Sequence, residues 1–332
     1  MVRIFALFLA VSALYAQISA TLVTTDIDNF WRAYDAAQSG DRRSALQSLY
    51  FNQATQGLRD FVQVRGLNAA NLGAAIDAYP KYYATIRDNT LKVAAQKPLI
   101  DLYLSRFLGL YERARFPAVY FLIGRVSTGG TVGPSGSLLI GTEVFSLGGD
   151  ADPSDLKQKI PAFYTAMGSI DRLPLIVVHE LVHTQQRYRS SSNLISAVML
   201  EGVADYLTGM VAGRTINDRL SDYAEAHRAE LFQRFAADWR AKPSDYSKWL
   251  YNYSASREEP ADLGYWIGHE ISRDYFTRAR DKNAAITALV EMSDPRSIVL
   301  GSSYAWIVTG DPPPDSDPSP VDPSADTKHS RI

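Results

Sequence analysis

The chain has 332 residues, 46% hydrophobic and 21% charged, the composition of an ordinary globular protein with room for one large domain or two small ones. Its formal net charge of -2 gives no basic field, and no block of Lys and Arg builds a local one, so nucleic acid is not an expected partner. There is no cysteine, which excludes disulfides, thiol catalysis, cysteine-ligated metals and lipidation of a mature N-terminal cysteine.

Residues 1–20, MVRIFALFLAVSALYAQISA, carry a positive start at Arg3, an apolar run from Ile4 to about Ala16, and small residues at Ala16 and Ala20 that suit a signal peptidase. The run is shorter than the roughly 20 apolar residues of a membrane span. The expectation is a cleaved signal peptide and an exported bacterial protein, periplasmic or secreted, with no stable membrane span after cleavage. A retained N-terminal anchor is the alternative.

Residues 21–116 form the next region. From about Asp26 to Arg115 apolar residues recur at three- and four-residue spacing, which predicts helices broken at Pro80 and Pro98, with a turn or helix start at Ser39 to Asp41. The stripe Tyr103, Phe107 and Tyr111 reads as core. Residues 117–309 are the predicted catalytic region. It opens with two apolar runs, AVYFLIG (Ala118 to Gly124) and SLLIGTEVF (Ser137 to Phe145), expected as two strands of one sheet joined by the glycine-rich loop between them. That loop cannot be a phosphate-binding loop, because no lysine occurs between Lys97 and Lys157, and GPSGS misses the nucleophile-elbow pattern at Ser137. Helical periodicity returns from Asp155. The Pro- and Asp-rich residues 310–332 hold almost no apolar side chain and are expected to be disordered.

Within the helical part, PLIVVHELVHTQQ places His179 and His183 four residues apart. On an α-helix that spacing puts both imidazoles on one face, one turn apart, where they can share one ion. Glu180 then lies to the side, in reach of water without being a ligand. A catalytic zinc takes three protein groups and keeps one position open. With no cysteine, the third ligand is sought among His227, His269, His329 and the carboxylates. The extended motif with a third histidine fails, since Gln186 and Arg189 stand where its glycine and histidine would be. The next predicted helix brings LEGVADY, with Glu201 and Asp205 on one face and small residues Gly202 and Ala204 that permit close approach. Asp205 is suited to accept the second ring N–H of a ligand histidine.

HELVH followed by EGVAD resembles the gluzincin type of zinc peptidase. The stretch from AVYFLIGR to LGYWIGHEI is similar to a bacterial family of predicted zinc-dependent proteases. The resemblance implies an α+β fold, mainly helical, with a small sheet packed beside the H-E-x-x-H helix in a zincin-like core. It implies a zinc cofactor held by His179, His183 and Glu201, with Glu180 as general base, Asp205 behind His179, and a peptide or protein as substrate. It further implies that Ser137 to Phe145 serves as an edge strand for substrate, on which Glu143 is a conceivable grip for a free amino group. Tyr265 and His269, four positions apart on a later helix, are candidates to stabilise the oxyanion. The alternatives are an exported binding or assembly protein that keeps the zincin fold without turnover, and a helical scaffold with no metal.

Overall fold

The computed structural model describes residues 19–188, 192–253 and 259–311. The predicted leader apart from its last two residues, and the tail apart from its first two, His329 included, lie outside them. The described chain is mainly helical around one small mixed sheet, the α+β arrangement expected.

Helix α1 (Thr25–Ala36) leads through the Ser39 to Asp41 turn into α2 (Arg42–Leu49), whose first turn is capped by Asp41 accepting the Ser44 N–H at 2.7 Å. Helices α3 (Gln56–Arg65), α4 (Ala69–Ala78), α5 (Pro80–Thr85), α6 (Arg87–Leu91) and α7 (Lys97–Leu110) follow. Pro80 and Pro98 stand in first turns, where a missing N–H breaks no helical bond. Phe107 and Tyr111 are buried and Tyr103 packs against the core.

Strands β1 (Leu22–Val23), β2 (Val119–Leu122), β3 (Gly130–Val132) and β4 (Leu138–Gly141) form a sheet in the order β1-β2-β4-β3. The β1–β2 and β2–β4 pairs are parallel, and β3–β4 is antiparallel, with Gly130 opposite Ile140 and Val132 opposite Leu138. Two expectations are corrected here. Ser137 to Phe145 is not one strand at an edge: β4 ends at Gly141, lies in the sheet interior, and is followed by a buried 3-10 turn, Thr142–Phe145. The edge beside β4 belongs to β3, which forms inside the glycine-rich segment read as a loop. The N-terminal helices and the later region share this sheet, and one buried apolar cluster runs from Ala20 to Ile307.

After α8 (Ser154–Lys159) and α9 (Pro161–Tyr164) come the two helices that carry the site, α10 (Leu173–Gln185) and α11 (Leu194–Ala212). Every residue of α10 from Leu173 to Val182 is buried, and the helix packs on β3, β4, α7 and α11. Helix α11 starts at a capping box between Asn193 and Ser196 and stops at Gly213, whose φ of 77° is left-handed. Of the described helices it alone is long and apolar enough to cross a membrane, yet it is largely buried inside the protein. Helices α12 (Ser221–Ala226), α13 (Arg228–Ala241), α14 (Leu263–Arg278), α15 (Lys282–Glu291), α16 (Pro295–Leu300) and α17 (Trp306–Thr309) complete the chain. Gly202 of α11 abuts Gly268 of α14 so closely that a Cβ on Gly202 would stand 2.3 Å from the Gly268 backbone. The small residue expected to bring α11 to the site thus serves its crossing with α14.

Candidate metal centre

Helices α10 and α11 bring His179, His183 and Glu201 to one point. His179 Nε2 lies 3.2 Å from Glu201 Oε2 and 3.2 Å from His183 Nε2, and His183 Nε2 lies 3.4 Å from the same Oε2. Tetrahedral zinc with bonds of about 2.0–2.1 Å needs ligand atoms about 3.3–3.4 Å apart, so the triangle fits the ion. The hydrogen bonds around it fit as well. The Gln186 side chain donates through Nε2 to the Leu200 carbonyl at 3.0 Å, which turns its Oε1 to His183 Nδ1 at 2.8 Å. His183 Nδ1 is then the protonated nitrogen, and its Nε2 presents a lone pair to His179, an arrangement that a cation or a proton must bridge. Gln186, the residue that defeats the extended motif, is therefore what orients the second histidine.

Asp205 stands behind His179, with Oδ1 3.7 Å from Nδ1, and both side chains are buried. At that distance it is a charge neighbour; among the described residues His179 Nδ1 has no hydrogen-bond partner. Asp205 is held by the Ile216 N–H at 3.1 Å and the Asn217 amide at 3.2 Å. Burial alone would push His179 toward neutrality, but the Asp205 and Glu201 carboxylates outweigh it and raise its pKa to about 10. Burial likewise opposes ionisation of Glu201, and the two histidines reverse this, holding it well below the usual carboxylate range. The second oxygen of Glu201, Oε1, accepts the hydroxyl of Tyr251. Tyr251 has a φ of 57°, and its N–H is anchored on Asp262 Oδ1 at 2.7 Å, where Asp262 itself has a φ of 70°. Two non-glycine residues in the left-handed region and bonded to each other mark a locally strained wall of the site.

The triad opens into a cleft of about 770 Å³. One side is β3 with its flanking residues, and the other carries Tyr251, Tyr253 and Tyr265. Ladder bonds such as Gly141 N–H to the Gly129 carbonyl at 3.0 Å and Gly133 N–H to the Ser137 carbonyl at 2.8 Å turn residues 129 and 133 toward β4. By antiparallel alternation the backbone groups of Gly130 and Val132 point away from the sheet. Glu180 lies against Gly130: a Cβ there would come within 2.4 Å of its Oε1. Burial raises the Glu180 pKa, and His183, His179 and Arg65 oppose the shift.

Tyr265 reaches the cleft, its ring centroid 6.0 Å from that of His179. His269 does not. The α11–α14 crossing at Gly202 and Gly268 carries the next turn past the cleft, and His269 packs on the Tyr206 ring at 5.4 Å with Nδ1 3.1 Å from Glu270. His227 is remote as well, stacked on Tyr223 at 4.2 Å. Glu143 cannot grip a substrate amine: it is fully buried, and its carboxylate accepts the N–H groups of Gly124 at 2.8 Å and Val126 at 3.1 Å. Burial in this pocket raises its pKa to about 7.

The family model described as "Predicted Zn-dependent protease" matches residues 153–293, less than half of the chain but the part that holds the triad, Glu180, Tyr251 and Tyr265. The likeness to predicted zinc-dependent proteases read from the sequence therefore holds over this segment. No curated protein and no solved structure matches the chain.

Proposed function

We propose that the protein is an exported metallopeptidase that hydrolyses peptide bonds by zinc-assisted attack of water. The observation that carries this reading is the triangle of His179 Nε2, His183 Nε2 and Glu201 Oε2 with a buried carboxyl group, Glu180, between it and an edge strand. Those three residues would hold the ion. Bound zinc supplies Lewis acidity, polarising the scissile carbonyl and lowering the pKa of water at the same centre to about 7.

The remaining steps fall to the chain. Glu180 takes a proton from the attacking water and passes it to the leaving amine; its raised pKa brings it nearer the working pH of such a shuttle. The outward groups of Gly130 and Val132 pair with the substrate backbone as an added strand. Tyr265, whose ring lies 6.0 Å from that of His179 in the cleft, is the candidate donor to the developing oxyanion, since the hydroxyl of Tyr251 is committed to Glu201 Oε1. Gln186 accepts the His183 Nδ1–H and so leaves that imidazole's Nε2 for the metal, while the buried Asp205 carboxylate stands beside His179 as a charge neighbour. Export rests on the leader-like residues 1–20.

The test is a peptide-library cleavage assay on the zinc-loaded chain beside Glu180→Gln. The expected result is cleavage by the wild type and a loss of at least about a hundredfold in the variant with its zinc retained. Equal, negligible turnover in both, with zinc bound, would favour a binding or assembly protein; purified protein with no zinc and no uptake on titration would end the metal reading.

A further inference from the structure

Arg172 immediately precedes α10, and Arg172, Ile176, His179, Glu180 and His183 form one stripe along that helix that lines the cleft. Seven residues of helical rise separate Arg172 from His179 by about 10 Å, the span of about three residues of extended peptide. The guanidinium uses little of its capacity. One of its terminal nitrogens donates to the Ile216 carbonyl, while Nε is buried and has no partner among the described residues.

The surrounding charges leave it without a counter-ion among the described residues. Asp218 is engaged by Arg214 at 3.3 Å, Asp262 by Arg219 at 3.3 Å, and Asp205 by Ile216 and Asn217, so the carboxylates act on Arg172 only at longer range. Burial and the like charges of Arg214 and Arg219 lower its pKa. The other charged groups on the cleft are Arg65, which faces Glu180, and the carboxylates Glu180, Glu201 and Asp262 already accounted for. A half-buried guanidinium with idle donors is disfavoured until an anion reaches it. Its side chain lies over Gly168, where a Cβ would come 2.6 Å from its Cδ, and Phe163, Ile176 and Ile216 add apolar lining for the stem of an incoming group.

We propose that Arg172 recognises a carboxylate of the substrate, so that the protein selects peptides bearing an Asp or Glu side chain, or a free C-terminal carboxylate, within about three residues of the bond it cuts. This rests on the peptidase reading. The loop that takes the Arg172 bond at the Ile216 carbonyl also donates the Ile216 N–H to Asp205 behind His179, which ties the carboxylate subsite to the metal end of the cleft.

The experiment uses matched peptides. A Glu scanned over three positions on either side of the cleaved bond is compared with Gln at the same position, and a free C-terminal acid with its amide. The two pairs separate side-chain from terminal carboxylates. With zinc-loaded wild type, kcat/KM for one acidic member exceeds that of its neutral twin by about ten- to a hundredfold, and the ratio falls toward one in Arg172→Gln. Arg172→Lys keeps the charge without the planar fork and retains part of the preference. Fluorescence anisotropy with the same peptides on Glu180→Gln protein, with and without Arg172→Gln, reads the preference as affinity and needs no turnover. Absence of all hydrolysis would therefore end the proposed function while the binding ratio still decides on Arg172. Equal kcat/KM for acidic and neutral twins on wild type, or, where wild type does not turn over, equal binding of the twins to wild type, overturns the inference whether or not any variant folds; so does an acidic preference that survives Arg172→Gln.

Discussion

Replacing Gly130 with alanine tests the placement of Glu180, the proposed general base, more sharply than removing it. The new Cβ would stand 2.4 Å from Glu180 Oε1 and 2.7 Å from its Cδ and Cγ, whereas ordinary contact begins at 3.4 Å. The carboxylate must withdraw by about 1 Å, a misplacement that costs about a hundredfold in rate when it falls on a catalytic group. That corresponds to about 2.7 kcal/mol on the barrier. The fold is disturbed less, because what gives way is the end of a side chain, at about 1 kcal/mol for an off-rotamer adjustment. The assay is steady-state hydrolysis of a peptide found by library cleavage, with zinc content and thermal midpoint measured on the same sample. The expected outcome is one zinc per chain, a midpoint shifted by a few degrees, and kcat reduced about a hundredfold. A kcat within about threefold of wild type would refute the assignment of Glu180 against β3 as the working geometry.

Glu201→Ala removes one of three ligands and is expected to abolish stoichiometric zinc in dialysed protein, measured by atomic emission, whereas Asp205→Ala should weaken zinc by about ten- to a hundredfold in chelator competition while leaving a ratio near one at saturating metal. Tyr251→Phe frees Glu201 Oε1 from its hydroxyl partner and should weaken zinc by about tenfold in the same competition; unchanged affinity would show that this hydroxyl does not position the ligand. His179 has a pKa raised to about 10 in the metal-free fold, so its pairing stabilises fully below the ordinary 6.5 and is lost as pH rises through about 10. The stability difference between metal-free wild type and His179→Gln in urea unfolding should therefore shrink above neutral pH. Since zinc must displace that proton, uptake should release acid in weakly buffered solution, and affinity should climb with pH up to the same range.

The three groups that could hold a metal were legible because a helix converts spacing into direction: His179 and His183 had to share a face, and Glu201 needed only the next helix to return alongside. What periodicity cannot report is where helices cross. Tyr265 and His269 have the same spacing, yet the crossing with α11 leaves the first in the cleft and the second among Tyr206 and Glu270. Tyr251 gave no signal, since it sits in irregular chain at a positive φ and reaches Glu201 through a turn fixed by Asp262. The exchange of β3 and β4 has a similar cause. Glycines that read as a loop make an edge strand because Gly130 must leave space for Glu180, and the strong apolar run beside it is drawn into the sheet interior.

The contact of Gly202 with Gly268 makes the proposed third ligand, Glu201, depend on two positions outside the triad. A methyl group on either would strike main chain at 2.3 Å, which cannot rotate aside, so α11 and α14 would have to part as rigid bodies. Glu201, one residue from the pinch, would retreat with its helix. Loss of zinc in a chain whose ligands are all intact is thus the signature to look for in homologues where either glycine has become larger.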